Sequence, residues 1–147
     1  MLKKSSVIVL LLCLSANLNG LDFDGLFVGL GVAGNAHTRM GSATGGIAMS
    51  GFRLADQYEL GLKISFFHNI NTVSSLEPQL FVRYCPSEGK SGPIVQVETG
   101  GIIYWEYSEV FPAYTVGLSG GWRFQLNDKW FVEPMIQFGY PYLLEAV

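Results

Sequence analysis

Asp56-Gln57-Tyr58-Glu59-Leu60-Gly61-Leu62-Lys63-Ile64-Ser65-Phe66-Phe67 decides the fold. Its even positions Tyr58, Leu60, Leu62, Ile64 and Phe66 are apolar, and its odd positions Gln57, Glu59, Gly61, Lys63 and Ser65 are polar or small. Side chains of a strand alternate between two faces, so a period of two over this length is a β-strand with one apolar face. The same period recurs along the chain. Leu76, Leu80, Val82 and Tyr84 oppose Ser75, Glu77, Gln79 and Arg83; Val95, Val97, Ile103 and Trp105 oppose Gln96, Glu98 and Gly100. Tyr114, Val116, Leu118, Trp122 and Phe124 oppose Thr115, Gly117, Ser119, Gly121 and Arg123. Trp130, Val132, Ile136, Phe138 and Tyr140 oppose Lys129, Glu133, Gln137 and Gly139, and Leu26, Val28, Leu30 and Val32 oppose Gly25, Gly29, Gly31 and Ala33. Residues 44–54 are ambiguous. No helical stripe appears, so the chain is predicted to be all-β.

Segments of about 10 to 13 residues are long for soluble strands and match tilted strands that cross a bilayer. Composition points the same way. The 147 residues carry 18 Gly and 20 aromatics (10 Phe, 7 Tyr, 3 Trp) but only 14% charged residues, where a soluble domain carries about 25%. The length suits one domain. A net charge of −3 gives no basic surface for phosphates, which excludes nucleic acid as a partner.

The first twenty residues read as an address. Lys3 and Lys4 precede an apolar run from Val7 to Leu14 and a more polar Ser15–Gly20, the plan of a secretory signal peptide and too short for a membrane-spanning helix. Gly20 is the expected last residue, although Leu18 is bulky where a small residue is wanted. Cys13 raises a lipoprotein alternative that bulky Leu12 disfavours. This gives residues 1–20 as leader and 21–147 as the barrel domain, whose charge without Lys3 and Lys4 is 7 basic against 12 acidic, or −5. One thiol, Cys85, then remains, in the turn Cys85–Gly92, so neither an internal disulfide nor a cysteine metal site is expected.

Aromatics gather at strand ends (Phe52, Tyr58, Tyr84, Trp105, Trp122, Phe124, Trp130, Tyr140), as an interfacial girdle requires. Tight turns are expected at Ala55-Asp56 and Gln125–Asp128, open loops at Asn35–Ala43 and His68–Val73, and a longer turn at 85–92. Short turns on one rim and longer loops on the other describe a meander of hairpins. A weak repeat supports it: Gly51-Phe52-Arg53-Leu54 is echoed by Gly121-Trp122-Arg123-Phe124, and Leu76-Glu77-Pro78 by Val132-Glu133-Pro134. Pro78 and Pro134 each forfeit a ladder hydrogen bond and are expected to mark bulges.

The polar face carries Arg53, Lys63, Arg83 and Arg123 against Glu59, Glu77, Glu98 and Glu133, four of each sign. Enclosed charges must pair, and small residues fit a narrow interior, whereas a solvated face needs neither. A charge on the lipid side costs roughly 2–4 kcal/mol at mid-bilayer. The charged face is therefore read as the interior and the apolar face as the lipid face.

Gly25-Leu26-Phe27-Val28-Gly29-Leu30-Gly31, Gly121-Trp122-Arg123-Phe124, Trp130-Phe131-Val132-Glu133-Pro134 and Gly139-Tyr140-Pro141 resemble the small bacterial outer-membrane barrels of the eight-stranded OmpA/OmpX/OmpW-like superfamily, its spirochaetal members included. The resemblance covers residues 22–147. It implies an antiparallel up-and-down transmembrane barrel in the outer membrane of a diderm bacterium, inserted into lipid by the barrel-assembly machinery. Members close on a complete last strand, whereas this chain offers seven strands and, at Tyr142–Val147, about half of an eighth. A shortened reading frame is the expectation that follows.

Other motifs have plainer readings. Gly29-Leu30-Gly31-Val32-Ala33-Gly34 spells a dinucleotide-binding motif, but no helix follows to hold a pyrophosphate. His37 and His68 are read as loop histidines; a rim triad of His68, Ser75 and Glu77 is the catalytic alternative, and metal binding by two distant loops is not expected. Tyr104-Trp105-Glu106-Tyr107 through Phe111 offers a surface for an extracellular partner, with girdle aromatics as the alternative. Eight strands leave an interior just wide enough for side chains, and Phe67, Phe81, Phe131 and Met135 add bulk there. The reading is a non-enzymatic structural or surface barrel with a plugged interior and no cofactor or metal. The alternatives are a narrow channel for small or hydrophobic solutes and a soluble exported lipocalin-like binder.

Overall fold

The computed structural model describes residues 7–17, 25–37, 41–69, 73–88 and 90–143. They form eight strands: β1 (Val7–Asn17), β2 (Leu26–His37), β3 (Gly41–Ala55), β4 (Tyr58–His68), β5 (Val73–Tyr84), β6 (Gly92–Glu106), β7 (Glu109–Gln125) and β8 (Trp130–Leu143). Each is antiparallel to the next, and β1 also pairs with β8, so the sheet closes on itself. The alternating segments of the sequence supply β2–β8, a curled seven-stranded meander. The eighth strand comes from Val7–Asn17, the apolar part of the leader-like segment. Tyr142 and Leu143 continue β8 opposite Tyr114 and Ala113 rather than starting a further strand. Residues 144–147, Lys3, Lys4 and the neighbourhood of Gly20 lie outside the described residues.

The alternation sorts the side chains by chemistry. Along β4 the outward residues are Leu62, Ile64 and Phe66, while Glu59, Lys63, Ser65 and Phe67 are buried inside. The open loop expected at Asn35–Ala43 shrinks to 38–40, and the ambiguous 44–54 is strand: small residues blur its alternation, with Ser42, Thr44, Gly46 and Ala48 outward and Ala43 and Ile47 inward. The ladder nevertheless holds them in register from Gly41 opposite His37 to Phe52 opposite Leu26. Strands therefore run further than their polar runs suggest, and the expected division into a short-turn rim and a long-loop rim is absent. The β2–β3 connection is only 38–40 and the β6–β7 turn only Tyr107 and Ser108; the longer turn 85–91 shares an end with the two-residue turn Asp56-Gln57, the side on which it is expected.

Neither Pro78 nor Pro134 marks a bulge. The β5–β6 ladder skips from Leu76↔Ile103 to Gln79↔Gly100, and the β7–β8 ladder from Gly121↔Met135 to Phe124↔Val132, both without a change of register. Each proline, lacking an N–H, opens its ladder for two residues. Among the described residues the register shifts between Arg53 and Ala55, beside the Asp56-Gln57 turn. Across the barrel wall, Gly51 makes room for the interior: a Cβ there would stand 2.7 Å from Leu60 O and from the Phe27 ring. Asn127 Oδ1 accepts the backbone N–H groups of Lys129 and Trp130, both at 2.9 Å, which fixes the last turn.

Candidate functional site: the ion-paired barrel interior

Period-two strands aim their odd-numbered polar residues of β4, β5, β7 and β8, and the even ones of β6, at the barrel axis. Near the end that holds the Asp56-Gln57 turn, five strands meet through one cluster. Arg123 of β7 grips Glu59 of β4 with two parallel hydrogen bonds, Nη1 at 2.8 Å and Nη2 at 2.9 Å, while its Nε donates to Glu133 of β8 at 2.6 Å. Arg83 of β5 donates from Nη1 to Glu133 at 3.0 Å and to Glu59 at 3.4 Å, and from Nε to Gln96 of β6 at 2.9 Å. Both arginines reach carboxylates three strands away, across the lumen. Bidentate guanidinium–carboxylate geometry is the strong, directional form of this contact. Arg83 and Glu133 are completely enclosed, with no measurable exposure.

A second layer lies beneath it. Lys63 Nζ donates to Glu98 at 2.7 Å and to Gln137 at 3.1 Å. Gln96 Nε2 and Ser119 Oγ also donate to Glu98, at 2.6 and 3.3 Å. Glu77 accepts from Ser75 Oγ at 3.0 Å. Aromatic faces close around the cations: the Arg123 guanidinium lies 4.2 Å from the Phe131 ring centre, and that of Arg83 lies 5.1 Å from Phe81 and 5.7 Å from Phe27. Burying three cations (Lys63, Arg83, Arg123) against Glu59, Glu98 and Glu133 is tolerable only because each is paired and its hydrogen bonds are satisfied. Side chains from opposite walls meet here, so the layer ties the walls together as a cross-brace.

Arg53 stands apart, half-buried and 4.0 Å from Glu59. The neutral partners Gln96, Ser119 and Gln137 were absent from the charge-based site, although the same alternation places them on the inner face. Which cation meets which carboxylate depends on strand stagger, which the sequence does not print.

Of the strand-end aromatics, Phe52, Tyr58, Tyr84, Trp122, Phe124 and Trp130 are outward and exposed around one end of the barrel. Tyr58 and Tyr84 rings lie 5.3 Å apart and Trp122 and Phe124 rings 6.5 Å apart. Trp105 is half-buried at the other end, and the Tyr140 side chain lies outside the described residues. Tyr104 and Phe111 face each other in register and pack with Ile102, Ala113 and Val73, while Glu106, Tyr107, Ser108, Glu109 and Val110 are exposed at that hairpin tip.

The rim triad is not assembled either. His68 is exposed on the outer wall with Nδ1 2.9 Å from Ser74 Oγ, whereas Ser75 and Glu77 point inward. The His37 side chain lies outside the described residues. Gly29–Gly34 lie within β2, with no helix after them. Cys85 is buried at the start of a turn, and burial pushes its thiol up to about 11. No group of three or more His, Cys, Asp or Glu able to hold a metal occurs among the described residues. Comparison with family models, curated proteins and solved structures returns no match.

Proposed function

We propose that this chain is a transmembrane β-barrel of the outer membrane of a diderm bacterium, with a structural or surface role rather than a catalytic one. The observation that carries the reading is the inverted polarity of the wall. Lys63, Arg83, Arg123, Glu59, Glu98 and Glu133 are buried, while Leu30 is 71% exposed, Val32 64% and Phe138 58%. Among the described strand residues that face outward none is Asp, Glu, Lys or Arg; Glu106 and Glu109, paired and exposed at the tip of the β6–β7 hairpin, have the parity of the inner face. In water so large an apolar surface is an aggregation hazard; in lipid it is the required one. Length agrees. The shortest strands have 11 residues, and at a tilt of about 40° they span roughly 28 Å, close to the ~30 Å hydrocarbon core. The exposed aromatics around one end suit a headgroup boundary.

The partners that follow are outer-membrane lipid and the barrel-assembly machinery, with the N-terminal basic-apolar segment directing export. A charged, cross-braced interior favours a plug over a channel, and disfavours a lipocalin-like binder, whose interior would be an apolar pocket. The test is heat-modifiability. The full chain, refolded in detergent and run without boiling, is expected to give a fast band with a β spectrum, and to lose the fold when detergent is withdrawn. A β-rich monomer stable without detergent would overturn the membrane reading. A steady ohmic conductance in planar bilayers would overturn the plug.

A further inference from the structure

We infer that Val7–Asn17, the apolar segment that reads as an export signal, is retained in the folded protein as the strand that closes the barrel. The inference rests on the barrel reading above, and on the outer-membrane reading only for where the protein is collected.

The seam that β1 fills has a defined demand. β2 and β8 are each antiparallel to β1 and so run in the same direction. Joined directly to each other they would pair in parallel, in a sheet where every other pair is antiparallel. Unpaired backbone groups are not tolerated in hydrocarbon, and single-chain outer-membrane barrels have even strand numbers. One strand, antiparallel to both neighbours, answers the demand. Val7–Asn17 does so over its whole length, from Val7 opposite His37 to Asn17 opposite Phe27 on one side, and from Val7 opposite Gly139 to Ala16 opposite Trp130 on the other.

The chemistry of the seam fits as well. The interior beside the seam is mixed: Phe27 and Ala33 of β2 and Phe131 and Met135 of β8 are apolar, whereas Glu133 and Gln137 of β8 also face inward. Register aligns Leu11 with Ala33 and Met135, and Cys13 with Gly31 and Glu133. Glu133 already receives Arg83 and Arg123, and Gln137 receives Lys63, so this seam asks no charge of the strand that fills it. Leu18 also spoils the small-residue pattern that cleavage after Gly20 needs.

The test is the intact mass of the folded, heat-modifiable protein extracted from the outer membrane of a cell making the full chain. The expected mass is that of the whole 16.1 kDa chain, and the denatured protein is expected to show two thiols, Cys13 and Cys85. Val9→Pro, which removes a backbone N–H from a strand paired on both sides, is expected to lower the temperature at which the fast band is lost. A folded barrel lighter by residues 1–20 and with one thiol would overturn the inference, whether it closes alone or with a strand of another polypeptide. An unchanged melting temperature in Val9→Pro would overturn the placement of β1. Protein found folded elsewhere than in the outer membrane would sink the membrane reading alone, because its mass still reports whether β1 was kept.

Discussion

Replacing Glu133 by Gln removes one charge from the most enclosed point of the barrel and little else. Its carboxylate receives Arg83 Nη1 at 3.0 Å and Arg123 Nε at 2.6 Å, with no exposed surface. The wild-type cluster sets two fully buried guanidiniums, Arg83 and Arg123, against two carboxylates, Glu59 and Glu133. In Glu133→Gln the two guanidiniums share Glu59, which Arg83 reaches at only 3.4 Å. An amide also turns a donor toward groups that only donate. Breaking a buried pair by removing one partner costs about 3–5 kcal/mol, a large share of the roughly 5–15 kcal/mol that holds a typical domain folded. The assay is a urea titration of the detergent-refolded protein, read as the fraction of fast-migrating unboiled band. The midpoint is expected to fall by an amount equivalent to that range, while Glu109→Gln, at an exposed hairpin tip, stays within about 0.5 kcal/mol of wild type. Adding Arg123→Met to Glu133→Gln restores one guanidinium to one carboxylate and is expected to recover part of the loss. If Glu133→Gln unfolds with wild-type urea dependence, or the double variant loses the sum of the two single effects, the interior is not an electrostatically coupled brace.

Three further outcomes follow from other parts of the wall. Gly51→Ala is expected to lower the urea midpoint by about 1–3 kcal/mol, because its Cβ would stand 2.7 Å from Leu60 O and the Phe27 ring; a neutral effect would mean the interior is looser than its packing implies. Cys85 should resist a maleimide at pH 8 in the folded protein and react promptly once boiled, since burial holds the thiol up to about 11 from an ordinary value of 9.0. A folded pKa above the unfolded one means that the thiol's contribution to stability is present below about pH 9 and is lost as pH rises through about 11, so a Cys85→Ala variant should show a weaker alkaline loss of stability. In vesicles with brominated acyl chains, Trp122 and Trp130, both exposed at one barrel end, should be quenched most strongly by bromines near the headgroups; equal quenching at mid-bilayer would displace the proposed girdle.

What could be read before the structure was whatever a period of two encodes. The strands around Leu62, Leu80, Val97, Leu118 and Phe138 announce themselves because apolar and polar positions alternate without interruption, and their polar members are the residues found inside. Residues 41–50 were opaque because Ser, Ala, Thr and Gly on both faces give no amplitude to the alternation; their strand is made by pairing with β2 and β4 on either side. Val7–Asn17 was opaque for the opposite reason. It is apolar at nearly every position, a pattern without alternation that reads as an export signal, and its strand is made by pairing with β2 and β8.

The ion network divides along the same line. That Arg83, Arg123, Glu59 and Glu133 share a face follows from parity alone, because a strand flipped by one residue would expose them to lipid at roughly 2–4 kcal/mol per cation. That Arg83 meets Glu133, and Arg123 meets Glu59, each across three strands, follows from the stagger of a closed barrel. Closure in turn depends on a strand whose own sequence carries no polar alternation. The four charges can therefore compensate one another only in a barrel already brought to the right circumference, and retention of β1 and integrity of the plug are coupled. Deleting residues 7–17 should accordingly abolish the fast band and leave Glu133→Gln without a further effect, and a deletion variant that still loses stability on Glu133→Gln would break that coupling.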